Sequence, residues 1–334
     1  SGLPYLMKKS LVKDRALLKF DKLEKENYPC VLFTRTQEGS KTRDVWGFPI
    51  SRTLRELSVY QPLLNYQRNL DWRSVLIGPS EVDSKISKII LEGRKLGYTF
   101  ISIDFTGYDK SVKIELQRAA FNYIKQLFQI SCHKEIDDLF VGFNNIGLVT
   151  PSGIIQGSHG VPSGSTFTNE VDSIVQYLIA KDSGCLVDDL YQIQGDDGVY
   201  AIPSNKVDEL FEHFKKFGLE VNIDKSDVSK DHIVYLQRLY HIDYMNNGFI
   251  GGIYSTYRAL NRILYQERYS DFEEFEIKGK DYYSIRTISI LENVKYHPLF
   301  KEFVNFIKKY DKYSLRLTDD GLNKFNKMSV QSDG

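Results

Sequence analysis

Acidic residues stand at the ends of two short apolar runs. In the stretch Tyr191 to Pro203, two alternating apolar segments flank Gly195-Asp196-Asp197-Gly198, the pattern of a β-hairpin whose turn tolerates positive φ. Such a turn lifts two adjacent carboxylates to one end of a sheet. Neighbouring like charges raise each other's pKa and are costly to keep ionised without a cation, so a divalent metal is the natural partner. A solvated Asp pair in an ordinary hairpin turn is the plain alternative. Upstream, the apolar, β-branched run Tyr98 to Ile103 ends abruptly in Asp104, with Asp109 five positions further on. A second strand therefore delivers an acid at its C-terminal edge, and the two acid-bearing strands together favour the metal site.

Two other segments carry groups suited to a phosphorylated substrate. Gly157-Ser158-His159-Gly160-Val161-Pro162-Ser163-Gly164-Ser165 offers unhindered backbone and small hydroxyls ahead of a helix predicted over 166–181. A flexible loop explains it equally well when it is taken alone. Arg35, Lys41 and Arg43 surround Gly39-Ser40 between the apolar pieces Val31 to Phe33 and Val45 to Pro49. A short basic loop between two strands is suited to gripping phosphates. The basic run from Lys8 to Lys25 reads equally well as a solvated helical face. His159 has no Ser-His-Asp spacing around it and reads as loop structure.

The elements that must position these groups follow from hydrophobic period. Apolar residues at helical spacing predict helices over 81–96, 111–130, 207–217, 257–268, 282–293 and 299–310. Strands are predicted at 98–103, on either side of the Asp-Asp turn, at 219–223 and at 233–240, with a short strand-turn-strand over 146–155. The order βα, loop-α, ββ, αβ implies an α+β fold with an antiparallel central sheet backed by helices.

In combination, Asp104-Phe105-Thr106-Gly107-Tyr108-Asp109, Gly160 to Ser165 and Ile193 to Gly198 resemble motifs A, B and C of viral RNA-dependent RNA polymerases. The wording is most similar to the picobirnavirus enzymes, with the partitivirus enzymes next, and the likeness covers most of residues 1–268. The resemblance implies a right-hand polymerase: fingers elements over 1–97, a palm over 98–245 with a fingers insertion near 131–157, and a thumb or part of one over 246–334. It implies two Mg²⁺ or Mn²⁺ ions about 3.5–4 Å apart, with Asp104 and Asp196 as principal ligands, Asp197 secondary and Phe105 in the same set. Arg35, Lys41 and Arg43 match the motif F residues that hold the incoming triphosphate, and Ser1 to Tyr5 resembles motif G. Ser163, Gly164, Thr168, Asn169 and Asp172 belong to the motif B substrate region. The expected Asn of that motif is Asp172 here, with Asn169 one turn away. Asp109 is placed to sense the ribose 2′ hydroxyl, Lys225 to donate a proton to the pyrophosphate leaving group, and Gln237 with Arg238 to meet the primer strand. The implied partners are an RNA template and product, ribonucleoside triphosphates and viral capsid protein. The implied setting is the host cytoplasm, within particles of a double-stranded RNA virus.

Bulk properties bound the rest. The 334 residues carry 44 Lys plus Arg against 44 Asp plus Glu, so any nucleic-acid surface must be local. Cys30, Cys132 and Cys185 show no CxxC spacing, which argues against a disulfide framework or a structural zinc site. There is no leader and no apolar run of membrane-spanning length, so a soluble chain in a reducing compartment is expected. A start at Ser1 and a polar end suggest a fragment or processed product, since polymerases of this type continue further upstream. Three rivals stay open. A reverse transcriptase shares the palm but tends to an aromatic gate where Asp109 stands; a cyclase palm has no need of the 35–43 basic loop; and an inactive palm would bind RNA or capsid protein without turnover.

Overall fold

The computed structural model describes residues 1–37, 41–266 and 270–332 and divides into two compact units, Ser1–Tyr235 and Leu236–Gly334. In the first unit, two short helices, α1 (Lys9–Leu18) and α2 (Phe20–Glu26), lead into the hairpin β1 (Cys30–Gln37) and β2 (Lys41–Gly47), then α3 (Ile50–Gln67) and α4 (Pro79–Lys95). Next come β3 (Thr99–Ile103), α5 (Tyr108–Ser111), α6 (Ile114–Gln126), α7 (His133–Asn145), and the hairpin β4 (Leu148–Thr150) and β5 (Gly153–Ile155). The unit ends with α8 (Thr168–Asp182), β6 (Tyr191–Gln194), β7 (Asp197–Ile202), α9 (Val207–Lys216), β8 (Asp227–Ser229) and β9 (His232–Tyr235).

Two sheets organise this unit. One has the order β6-β7-β3-β8 with every pair antiparallel; the other, β2-β1-β4-β5, contains one parallel pair, β1 with β4. All five residues of β3 are buried, as a strand covered on both faces requires. Ile101 and Ile103 join one large core with Phe121 and Ile124 of α6, Val171 and Ile174 of α8, and Leu210 and Phe214 of α9. Phe100 points the other way, and α4 crosses it so closely that a Cβ on Gly93 would lie 2.6 Å from the Phe100 ring and 3.1 Å from Ala201 Cβ. Burying each of these large side chains contributes roughly 1.5–3 kcal/mol, which holds β3 rigidly between its two layers.

Several sequence expectations need correction. The helix expected over 111–130 is shortened to α6, because Val112, fully buried, leaves helical backbone (φ −72°, ψ 88°) just before it. The strand expected over 219–223 is reduced to a single bridge, Phe105 with Val221. The strand expected over 233–240 is interrupted where Leu236 and Gln237 adopt positive φ, 49° and 63°.

The second unit contains β10 (Arg238–His241), β11 (Met245–Asn246), β12 (Phe249–Ile250), β13 (Ile253–Tyr254), α10 (Thr256–Leu264), α11 (Gly279–Glu292), α12 (Phe300–Tyr310) and α13 (Asp319–Ser332). Tyr254, Ala259, Leu291, Val294 and Ile307 form its main core, and a smaller cluster joins Ile277, Tyr282 and Met328. The helix expected over 257–268 ends at Leu264, and Arg268 lies outside the described residues. The last helix, α13, was not read from the sequence. Among the described residues, no helix is long and apolar enough to cross a membrane.

Candidate active site

Strand register brings the acids together. Ile103 of β3 pairs with Gly198 of β7, so Asp104 and Asp197 are the next residues along the two strands at the same edge. Gln194 pairs with Asp197 across the β6–β7 hairpin, which leaves Gly195-Asp196 as a two-residue turn. Gly195 takes φ +65° there, a conformation that glycine adopts without steric cost. Asp104 is fixed through its main chain: its N–H donates to Ser226 Oγ at 3.0 Å, and its carbonyl accepts from Asn222 N at 2.8 Å. The same 222–226 segment carries Lys225, which is exposed. Phe105 turns its ring into the core against Tyr108 and Phe214.

The acids share one electrostatic field. Desolvation by the surrounding atoms, then the Asp196 and Asp104 charges, push the Asp197 carboxyl up to about 7, although the residue keeps solvent exposure at the turn. Burial and Asp196 raise Asp109, and Arg43 opposes that rise. Asp172 is only 4% exposed, and burial followed by Asp109 and Asp196 raises it well above the usual carboxylate range. Uncompensated carboxylates of this kind are relieved by a cation, and an all-oxygen donor set of Asp104, Asp196 and Asp197 suits Mg²⁺ or Mn²⁺.

The glycine-rich loop is bound to both neighbours of this edge. Val161 N donates to Asp109 O at 2.7 Å, and a Cβ on Gly160 would lie 2.2 Å from that same oxygen. Ser163 Oγ donates to Asp44 O at 2.8 Å, while Trp46 N donates to Ser163 O at 2.9 Å. Gly164, at φ +145°, lies so near Trp46 O that a Cβ would sit 2.1 Å from it. Thr168 uses its hydroxyl on Pro162 O and Ser165 O, which shapes the loop from within. Asn169 Oδ1 accepts from Gln194 Nε2 at 2.7 Å. On the basic hairpin, Arg35 and Arg43 stand directly opposite one another and therefore share a face. The Lys41 side chain and Gly39-Ser40 lie outside the described residues.

Gln237 and Arg238 belong to the second unit, where Gln237 Oε1 accepts from Arg258 Nη1 at 2.7 Å and Arg238 Nη2 donates to Asn293 Oδ1 at 2.6 Å. The remaining expected residues, Lys41's side chain excepted, lie on the carboxylate edge or on the loop, hairpin, helix and 222–226 segment around it.

Sequence reasoning missed several supports. Glu56 of α3 accepts from Ser165 Oγ at 2.7 Å, Thr166 N at 2.8 Å and Thr166 Oγ1 at 2.7 Å. Arg73 and Glu170, 0% and 1% exposed, pair at 2.6 Å beneath α8. A charged residue on an otherwise inward helix face was the one available signal for Glu56 and Glu170.

An antiparallel sheet with acids at its strand edge and hairpin turn, packed between helices, defines the palm of a right-hand polymerase. The model of the viral RNA-dependent RNA polymerase family matches residues 28–315, and the chain belongs to that family. Among curated proteins it is 34% identical over 301 residues to a potential RNA-dependent RNA polymerase of a human picobirnavirus, covering 86% of this chain and 55% of that protein. It is 25% identical over 224 residues to an RNA-directed RNA polymerase of Cryptosporidium parvum virus 1, covering 61% and 42%. The crystal structure of the RNA-dependent RNA polymerase of a human picobirnavirus superposes with a TM-score of 0.79 at 32% identity, over 91% of this chain and 60% of that one. Its insertion-loop deletion mutant gives 0.77 at 32% identity, over 91% and 61%. The chain thus spans about half the length of the curated relatives it matches.

Proposed function

We propose that the chain performs template-directed RNA synthesis, transferring the nucleotidyl group of a ribonucleoside triphosphate to an RNA 3′ hydroxyl. The observation that carries this is the register that sets Asp104, Asp196 and Asp197 on one edge, with Arg43 close enough for its charge to act on Asp109. Asp104, Asp196 and Asp197, with the Phe105 carbonyl, would hold two Mg²⁺ or Mn²⁺ ions. Bound there, the ions would supply charge neutralisation to the attacking and leaving oxygens.

The chain's own residues do the rest. Arg35 and Arg43 share one face of the basic hairpin, and guanidinium forks match phosphate oxygens, so Arg35 and Arg43, with Lys41, bind the triphosphate. Asp109 senses the ribose hydroxyl, because a site built to hydrogen-bond a hydroxyl leaves its polar groups unpaired when the hydroxyl is missing. Ser163 and Gly164 shape the wall beside it, Thr168 and Asn169 support that wall, and Asp172 lines the sugar side. Lys225 donates a proton to departing pyrophosphate, and Gln237 with Arg238 hold the primer strand. Residues 1–97 act as fingers elements, 98–245 as palm with a fingers insertion near 131–157, and 246–334 as the thumb or part of it. The partners are RNA template and product and viral capsid protein, within particles of a double-stranded RNA virus in the host cytoplasm.

The test is Mg²⁺-dependent incorporation of labelled ribonucleotides on a primed RNA template, beside deoxyribonucleotides and Asp196→Asn. Template-directed ribonucleotide incorporation that disappears in Asp196→Asn is the expected result. RNA binding with no incorporation would mean either a truncated enzyme or a non-catalytic palm, which a longer chain separates, and equal use of deoxyribonucleotides would remove the role given to Asp109.

A further inference from the structure

Asn169, Ser173 and Gln176 lie at i, i+4 and i+7 of α8, one stripe of the helix surface. Ser173 and Gln176 are 0% exposed, among neighbours such as Val171, Ile174 and Val175 that belong to the core. Packing alone does not ask for polar side chains here, because a buried polar group without a partner is costly. Their partners are consecutive residues of the carboxylate turn.

Gln194 Nε2 donates to Asn169 Oδ1 at 2.7 Å, Gly195 N donates to Ser173 Oγ at 2.7 Å, and Gln176 Nε2 donates to Asp196 O at 3.4 Å. Ser173 gives its own proton to Asn169 O at 2.6 Å. That donation leaves the Ser173 oxygen as the acceptor facing Gly195, so the polarity of the contact is set by the helix. The fit is close. A Cβ on Gly195 would sit 3.0 Å from Asn169 Nδ2, and one on Gly198 would sit 2.4 Å from Gln176 Nε2. Glycines on both sides of Asp196-Asp197 therefore let the turn lie against the helix, and the stripe grips it residue by residue.

We propose that Ser173, with Asn169 and Gln176 on either side of it, is a positioning residue that sets the height and direction of Asp196 relative to Asp104 and Asp197. This rests on the polymerase reading of the site. Ser173 and Gln176 act through the backbone of the turn, and Asn169 acts through the Gln194 side chain that leads into it. Groups that hold ligand-bearing backbone typically change metal affinity or activity by about 10–100-fold when they are removed.

The experiment uses the full chain with Ser173→Ala and, as a second variant of similar bulk, Gln176→Leu. Mn²⁺ binding is measured by calorimetry on the protein alone, and kcat and KM for ribonucleotide are measured separately. In variants whose melting curves show a folded chain, Mn²⁺ affinity should fall about tenfold and kcat about 10–100-fold, with KM changed by less than about threefold. Loss through packing alone would lower the melting temperature and leave both metal affinity and kcat of the folded protein at parental values; that result overturns the proposal. A parent chain that binds Mn²⁺ in an Asp196-dependent way yet incorporates nothing would remove the polymerase reading, while the calorimetric arm would still decide the role of Ser173.

Discussion

Glu56→Ala should release the glycine-rich loop while the rest of the fold survives. The Glu56 carboxylate is 5% exposed and accepts three short hydrogen bonds, from Ser165 Oγ, Thr166 N and Thr166 Oγ1. Each hydrogen bond to a charged group is worth about 1.5–3 kcal/mol, and a buried donor left unpaired costs about 1–3 kcal/mol. Against these stands the burial of the carboxyl itself, which outweighs the hydrogen bonds and raises its pKa above the ordinary glutamate value. The two hydroxyls can rotate to other acceptors after truncation, but Thr166 N–H cannot, so a net local cost of about 2–4 kcal/mol follows. Glu56→Gln keeps one oxygen for Thr166 and removes the buried charge, so it should cost about 1 kcal/mol or less. Because the folded pKa is raised, the stability it contributes is present below the unfolded pKa and is lost as pH rises through the folded value. The gap between the parent and Glu56→Gln therefore closes as pH increases. Hydrogen exchange over residues 163–167 reads the loop directly, and a 2 kcal/mol loss corresponds to roughly thirtyfold faster exchange. If Glu56→Ala changes that exchange by less than about threefold, or if Gln costs as much as Ala, the anchoring argument is wrong.

The Arg73–Glu170 pair is fully buried, so Arg73→Met alone should cost about 3–5 kcal/mol by stranding the carboxylate. Arg73→Met with Glu170→Leu should recover most of it; urea unfolding in which the two effects simply add would rule this out. Asp197, raised to about 7 by burial and by Asp196 and Asp104, gives a pH signature. Without divalent ions the stability it contributes is held below the unfolded carboxylate range and is lost as pH rises through about 7. A bound cation must displace that proton, so the melting-temperature gain from Mg²⁺ should be larger at pH 8 than at pH 6. A gain that is independent of pH would detach Asp197 from the metal site.

The sequence was informative where a function depends on local chemistry. An apolar strand that ends in Asp104 and a hairpin turn built on Gly195 both announce themselves within a few residues, whereas the register between β3 and β7 was not legible, because β3 is buried on both faces and carries no alternation to fix it. Breaks without a glycine or proline were harder. Nothing local marks Val112 as the place where α5 gives way to α6; its carbonyl accepts from Gln117 Nε2 at 2.9 Å, and its side chain is fully buried. Leu236 and Gln237 adopt positive φ although neither type favours it, so a continuous strand was the natural expectation there.

The supports of the site were hidden for a different reason. Glu56, Glu170 and Ser173 each look like an error in an apolar pattern until their partners are known, and those partners lie 110, 97 and 22 positions away at Thr166, Arg73 and Gly195. All three interactions converge on α8 or on the loop entering it. The loop that shapes the substrate wall, the ion pair beneath the helix and the turn that carries Asp196 thus share one rigid body. A displacement of α8 would move wall and carboxylate together, whereas loss of Ser173 should move the carboxylate alone. That asymmetry is why separate kcat and KM measurements, rather than total activity, distinguish a positioning residue from a residue that only holds the fold.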